Sequence, residues 1–518
     1  MFEHIRPSEE EMEINTRSAQ HVPGSIEPVD VQNLLAAIAT IEGRDKLQIP
    51  AERTIKANPE LSNPLCSPTS YPWRVARVLD SLSSLLVSKP SREVIATALR
   101  VDENAKTIEF FLAANDDVSS KTSSHLEWIW GTMRQISSRY REAYSNPTQN
   151  SPTHNIKDEN LVRQFNSFSR RCVEFTASKI RKRVNGGFGH FQKINRSDFG
   201  ENHPFRHIIH TIVALETITR EGAPHWEQKP VDDATWEMLL HLLRMCQRSI
   251  NDFLKNGAFT PDELLRVNHF PKWESYLRKI AGVMNNVDIL IKAAISPRCE
   301  RLFGLKFKLY ALPAISSRSI YIPQTPKDWE TVLEKALSAR NRNDAGGLES
   351  QPKVMNMSVI NNDTAYMAQQ ALSRDLVVHC ETKILLHIAQ SERENPRLTK
   401  AYSYVGVSKL SCQGCHCFFL AYNRIHDTRY YTRGTHGKSY WPWQFPQNFS
   451  RSQETAVCMY HIVARRWVDS YDGYVTEKVH FGPDSTAASQ TSQTVTWEKD
   501  KRIHDKVEEL IRKVNNLE

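Results

Sequence analysis

The sequence predicts an α plus α/β chain, mainly helical over residues 29–299 and built of strands and helices over 300–480. Three observations carry that prediction. Apolar side chains recur at three- and four-residue intervals through most of the first three hundred residues, as amphipathic helices require. The period changes near residue 300, where Phe303, Leu305, Phe307 and Leu309 mostly alternate with small or basic residues, as in a half-buried strand. Beyond it, strand-like and helix-like stretches alternate around two clusters of metal-ligand type, His379-Cys-Glu381 and Cys412-Gln-Gly-Cys415.

In chain order, residues 1–28 form a tail expected to be disordered. Helices are expected over 30–43, 73–87, 92–114 and 122–144, after which Asn146-Pro-Thr-Gln-Asn-Ser-Pro-Thr153 breaks the pattern. Further helices are expected over 158–183, 206–220, 232–256 and 261–295. The last opens on Thr260-Pro-Asp-Glu263, a capping-box spacing with proline at the first helical position. No repeat of solenoid period stands out, although the paired helices keep a helical-repeat scaffold open.

Strands are expected at Phe303–Tyr310 and Arg318–Pro323, a helix over 326–340 and a loop at Asn341–Gly347. A helix starting at His379 presents Ile384, Leu385 and Ile388 to a sheet. Tyr402–Val407 reads as a buried strand, and Ser411 as the N-cap of a helix carrying Phe418, Phe419 and Tyr422. Arg429–Arg433 reads as a strand and 451–471 as a helix. Residues 481–518 form a linker rich in serine, threonine and glutamine, then a charged amphipathic helix that packs on the body or binds a protein partner.

A chain of 518 residues suggests two or three domains. Its 67 basic and 59 acidic residues leave a formal charge of +8, which permits contact with nucleic acid without demanding it. Nine scattered cysteines do not form a disulfide framework and fit a reducing compartment. The charged start, Met1 to Met12, is no secretory signal, and no apolar stretch has membrane-spanning length. An intracellular protein, cytoplasmic or nuclear, is expected.

The two clusters define a chemistry. His379, Cys412 and Cys415 give three ligands of the type zinc prefers, and a catalytic zinc keeps its fourth position for water where a structural zinc is closed by four. Two thiolates and a neutral imidazole cancel the metal's charge, and bound zinc pulls the pKa of its water from about 15.7 toward about 7. A proton must then reach the leaving group, and Glu381 is the nearest carrier. Residues two apart on a helix point roughly 200° from one another, so His379 must sit at the very start of its helix for Glu381 to face the same pocket. Cys412 and Cys415, three apart, share one side of a first turn. Cys417 offers a further thiolate, which would close the metal's sphere if it reached it.

A His-x-Glu triplet followed by Cys-x-x-Cys, each opening a helix, is the signature of zinc-dependent base deaminases. The longer string Tyr404-Val-Gly-Val-Ser-Lys-Leu-Ser-Cys-Gln-Gly-Cys415, with Thr432-Arg-Gly-Thr-His-Gly-Lys438 and Trp441 downstream, resembles a fungal family of nucleic-acid deaminases in the cytidine deaminase-like superfamily. The likeness is best over 375–447 and extends over 300–480. It implies a three-layer α/β/α cytidine deaminase-like domain with zinc on His379, Cys412 and Cys415. Glu381 would be the proton shuttle, and the substrate a cytosine-like or adenine-like base, free or in single-stranded nucleic acid. Ser411 stands where many deaminases have proline, and Cys380 where a small alanine is usual. The competing class is a non-catalytic module in which zinc holds a binding or scaffold domain together.

Further segments carry two readings each. His436 and Trp441 can hydrogen-bond to and stack on a base, with Arg433 or Lys438 meeting phosphate; alternatively this segment is a packed aromatic corner. His207 and His210 lie a turn apart with no third ligand nearby, which favours a helix face over a metal site. Ser178-Lys-Ile-Arg-Lys-Arg183 is a basic cluster for phosphate contact or nuclear import, or a solvated helix face. Gly186-Gly-Phe-Gly189 lacks the residues of a phosphate loop and reads as a turn.

Overall fold

The computed structural model describes residues 26–45, 52–53, 71–144, 158–194, 199–201, 203–221, 232–256, 259–260, 263, 267, 273–315, 323, 325–344, 376–440 and 443–480. Helices α1 (Pro28–Asp45) and α2 (Tyr71–Leu85) flank the short strand β1 (Glu52–Arg53). They are followed by β2 (Ile95–Asp102), β3 (Thr107–Ala114), α3 (Ser120–Tyr144), α4 (Glu159–Phe191), α5 (Pro204–Glu221), α6 (Asp233–Asn256) and α7 (Trp273–Ala294). After a single turn, α8 (Glu300–Phe303), come β4 (Lys306–Leu312), α9 (Pro326–Asp344), α10 (Cys380–Glu394), β5 (Gly406–Val407), α11 (Gln413–His426), β6 (Gly434–Thr435) and α12 (Ser452–His480). No helix among the described residues is long and apolar enough to cross a membrane. The expected tail before residue 26, the strand at Arg318–Pro323 and the segment after residue 480 lie outside, or almost wholly outside, the described residues.

The chain is mainly helical around a small mixed sheet of order β4-β3-β2-β5. β2 and β3 are antiparallel, with Ile95 opposite Ala114 and Asp102 opposite Thr107. β4 runs parallel to β3, and β5 antiparallel to β2 with Val407 opposite Ala96. The sheet therefore draws two strands from before residue 300 and two from after it.

Residues 92–114, expected as one helix, form a hairpin instead. The misleading signal is physical, because both faces of these strands are buried and no polar alternation survives. Ile95, Leu99, Ile108, Phe110 and Leu112 pack with the apolar faces of α2 to α7. Ala96, Ala98, Phe111 and Ala113 face Ile384, Leu385 and Ile388 of α10, in a cluster shared with α1, α9, α11 and α12. The turn is local: Asp102 Oδ1 accepts from Ala105 N at 2.9 Å, and Lys106 adopts a φ of 50°.

Small alanines on one face leave room for α10 to lie against β2 and β3. A buried cation fixes its far end. Arg100 Nη1 pairs with Glu109 at 3.2 Å, its Nη2 donates to Ser391 Oγ of α10 at 2.8 Å, and the guanidinium lies 5.1 Å from the Phe111 ring centre.

Other boundaries move. Residues 300–303 are helical and β4 starts at Lys306. The strand expected at 402–407 is regular only at Gly406–Val407, where a Cβ on Gly406 would lie 2.5 Å from the Leu79 backbone, so glycine lets α2 approach. In the strand expected at 429–433, Tyr431 makes an isolated bridge to Tyr404, and regular pairing begins at Gly434. Gly186–Gly189 is no turn: α4 runs through it, and Gly187 lies under the ring of Tyr276, whose hydroxyl donates to Val184 O at 2.8 Å.

Candidate metal centre

His379 is the N-cap residue of α10, with extended backbone (φ −68°, ψ 151°). That breaks the helical spacing which would otherwise turn it away from Glu381. Cys412 caps α11 in the same way, so the expected cap at Ser411 is displaced by one residue. Ser411 instead anchors the loop. Its N–H donates to Gly434 O at 2.9 Å, its carbonyl accepts from His436 N at 3.1 Å, and its hydroxyl bonds Thr432 Oγ1 at 3.1 Å.

The two helix starts bring His379, Cys412 and Cys415 together, their donor atoms all within 4.8 Å of one another. His379 Nδ1 is 3.4 Å from each sulfur. Ligands at zinc bond lengths of about 2.0 and 2.3 Å, separated by a tetrahedral angle, would have N and S about 3.5 Å apart. The donor set thus fits a zinc ion in chemistry and in span. Cys412 and Cys415 are buried. Cys415 N donates to Cys412 Sγ at 3.4 Å, and Cys415 Sγ accepts from Trp443 Nε1 at 3.3 Å and Thr382 Oγ1 at 3.6 Å. Such donors stabilise thiolate and fix its direction.

Burial pushes both thiols up, yet Cys412 falls well below the ordinary thiol range. The Cys415 thiol and N–H hydrogen-bond its sulfur, and the His379 imidazole attracts the thiolate. Cys415 rises, through burial and because it faces that thiolate. Burial lowers His379, but the Cys412 thiolate and Glu381 together offset it, and the imidazole ends above its usual value.

Glu381 is buried, and its Oε2 accepts from the Cys380 thiol at 3.3 Å. It is not one of the converging donor groups. Among the described residues no fourth histidine, cysteine or carboxylate joins the three. Cys417, two residues beyond Cys415 on α11, instead accepts from Gln413 Nε2 at 3.4 Å. His207 and His210 are exposed on α5 and belong to no such group.

Of the expected substrate contacts, His436 approaches the centre. Its ring meets Tyr440 edge-on at 5.4 Å, and Tyr440 lies 6.5 Å from the His379 ring. Burial holds the His436 imidazole below its usual range, so it is neutral near pH 7. Arg433 is exposed, and Trp441 lies outside the described residues.

Three further residues build the site, two of them from the segment Tyr440–Trp443 that the sequence offered as a stacking edge or a packed aromatic corner. Trp443 supplies a donor to Cys415, and Tyr440 stands at the rim, 47% exposed. Asn115, just after β3, accepts from Cys380 N at 3.1 Å through Oδ1, while its carbonyl accepts from Lys383 Nζ at 3.1 Å. The aromatic run Tyr440–Trp443 was the only advance signal; nothing marks Asn115 until the hairpin is recognised.

Residues 378–447 match the family model of the OTT_1508_deam-like deaminases. No curated protein and no solved structure matches the chain. The stretch with deaminase likeness thus contains all three converging ligands and Glu381.

Proposed function

We propose that the chain is a zinc-dependent hydrolytic deaminase of a cytosine-like or adenine-like base, and that residues 300–480, with the β2–β3 hairpin, form a three-layer α/β/α deaminase domain. One observation carries the reading: three donors within 4.8 Å of one another, the imidazole nitrogen 3.4 Å from each sulfur, with a buried carboxylate beside them that is not a ligand.

His379, Cys412 and Cys415 hold the metal. When bound, zinc supplies Lewis acidity that brings the pKa of a water in its fourth position toward about 7. Glu381 takes one proton from the attacking water and gives it to the ring nitrogen, then takes the second from the hydroxyl so formed and gives it to the amine, which leaves as ammonia while the ring carbonyl forms. The Cys380 thiol on Oε2 turns the carboxylate and leaves Oε1 for that transfer. Neutral His436 and the exposed face of Tyr440 orient and stack on the base at the rim. A base presented by single-stranded nucleic acid fits this rim, since a paired base must leave its stack to reach so buried a centre.

Ammonia release from nucleosides, nucleotides, single-stranded DNA and single-stranded RNA, measured on the purified full chain, tests the proposal. Release is expected from at least one of them, and its loss in Glu381→Gln at unchanged zinc content. No release from any substrate by a chain that needs zinc to fold would overturn it in favour of a structural site.

A further inference from the structure

The basic run Ser178-Lys-Ile-Arg-Lys-Arg183 takes no part in this chemistry, and it is not simply a solvated face. It lies on α4, where Lys179 is only 6% exposed. Its ammonium donates to Ser84 O, in the last turn of α2, at 3.2 Å. Arg183, one turn on, donates through Nη1 to Lys279 O at 3.3 Å. Both cations therefore end on carbonyls rather than on carboxylates.

Arg183 and Lys409 both act electrostatically on Lys179, and Lys182 and Arg183 on Lys409. Among the described residues, an acid acting on Lys179 and Lys409 is Glu93, whose Oε2 already accepts from Ser88 N at 2.6 Å and Lys89 N at 2.7 Å. Burial, reinforced by its cationic neighbours, pushes Lys179 well below the usual lysine range, and burial alone brings Arg183 down to about 10. A charge so placed is unfavourable without a counter-anion.

Lys409 links the cluster to the metal centre. It is exposed on the crossing between Ser408, whose N–H donates to Ile95 O at 2.9 Å, and Ser411, tied to Gly434. Only Leu410 and Ser411 lie between it and Cys412, so the two Cα atoms are at most about 11 Å apart. Lys409 also lies within electrostatic reach of Cys380, the residue between His379 and Glu381.

We infer that Lys179, Lys182, Arg183 and Lys409 form an anion subsite that holds a phosphate group of the substrate, beside the centre that receives its base. Naming the base-bearing molecule rests on the deaminase reading; the anion site itself does not. Exposed Lys182 and Lys409 would meet the phosphate oxygens directly, with buried Lys179 and half-buried Arg183 behind them.

The test is binding of a fluorescein-labelled single-stranded oligonucleotide to the full chain across a salt series, with inorganic pyrophosphate as competitor. Replacing Lys182 and Lys409 together by alanine is expected to weaken binding about tenfold or more at low salt, and to flatten the slope of log affinity against log salt by about 1.4. Lys179→Met is expected to act in the same direction. The surface pair keeps the test decisive if the buried variant fails to fold. Pyrophosphate should displace the oligonucleotide from the parent chain and displace it less well from the variants. Wild-type affinity and slope in the Lys182/Lys409 variant would overturn the subsite, as would pyrophosphate binding that leaves the oligonucleotide in place. Ammonia read in the same samples separates the two claims. Variant-sensitive binding with no ammonia from any of the nucleoside, nucleotide, DNA or RNA substrates upholds the subsite and overturns the deaminase reading, whereas turnover with variant-insensitive binding does the reverse.

Discussion

Gly414, inside the Cys412–Cys415 pair, is where a single methyl group tests how the centre is held. A Cβ there would lie 2.8 Å from Cδ2 of Trp443 and 3.0 Å from its Cγ and Cε2. The indole is 1% exposed and meets Phe445 edge-on at 6.2 Å, so it has little space to retreat into. Over-packing of this kind costs about 1–3 kcal/mol. The displaced ring is the one whose Nε1–H donates to Cys415 Sγ at 3.3 Å. Loss of such an outer partner typically lowers metal affinity by about 10–100-fold, or about 1.4–2.7 kcal/mol. Gly414→Ala should therefore bind zinc about 10–100-fold more weakly, as read by competition with a chelating dye. Trp443→Phe removes the donor and some of the obstructing bulk, so in that background adding Gly414→Ala should cost no more than about threefold. An equal loss in both backgrounds, or wild-type affinity in Gly414→Ala, would refute the packing argument.

Two stability effects follow from the sheet and the helical half. Arg100→Met leaves the buried Glu109 with half-exposed Lys308, at 3.2 Å, and the Tyr310 hydroxyl, at 3.4 Å, as partners and cuts the tie to Ser391. A loss of about 3 kcal/mol is expected in urea unfolding, and a change under about 0.5 kcal/mol would count against the network. His125 is held neutral, its pKa pushed down to about 3 by burial and then by Arg171 and Lys121. The unfolded chain takes up this proton below about 6.5 and the folded chain does not, so this contribution is complete above that pH and is lost as pH falls toward 3. Between pH 7 and 5, His125→Gln should lose about 2 kcal/mol less stability than the parent. An equal loss in both would place the imidazole in solvent contact.

Much of the architecture was legible in the sequence, for identifiable reasons. Helices such as α6 and α12 carry long apolar stripes over a polar background, and the two motif helices had to begin at their first ligands for the side chains to meet. The hairpin was hidden because Ile95–Leu99 and Ile108–Ala114 are buried on both faces, which erases the two-residue period. The short turn at Asp102–Lys106, with its β-branched flanks, was the available clue. Within the site, the ligands were legible because metal chemistry restricts residue type and spacing. Trp443, Asn115 and the space at Gly414 were not, since each acts across 28 or more residues or through a backbone approach that only the fold creates. Cys417 could be judged only once its bond to Gln413 was known.

Zinc K-edge absorption of the purified full chain, beside Cys417→Ser, addresses the central claim most directly. Two sulfurs at about 2.3 Å and two nitrogen or oxygen atoms at about 2.0–2.1 Å are expected, one of the latter exchangeable water, with an unchanged spectrum in the variant. A third sulfur lost on replacing Cys417, or no stoichiometric zinc in the folded chain, would contradict the account.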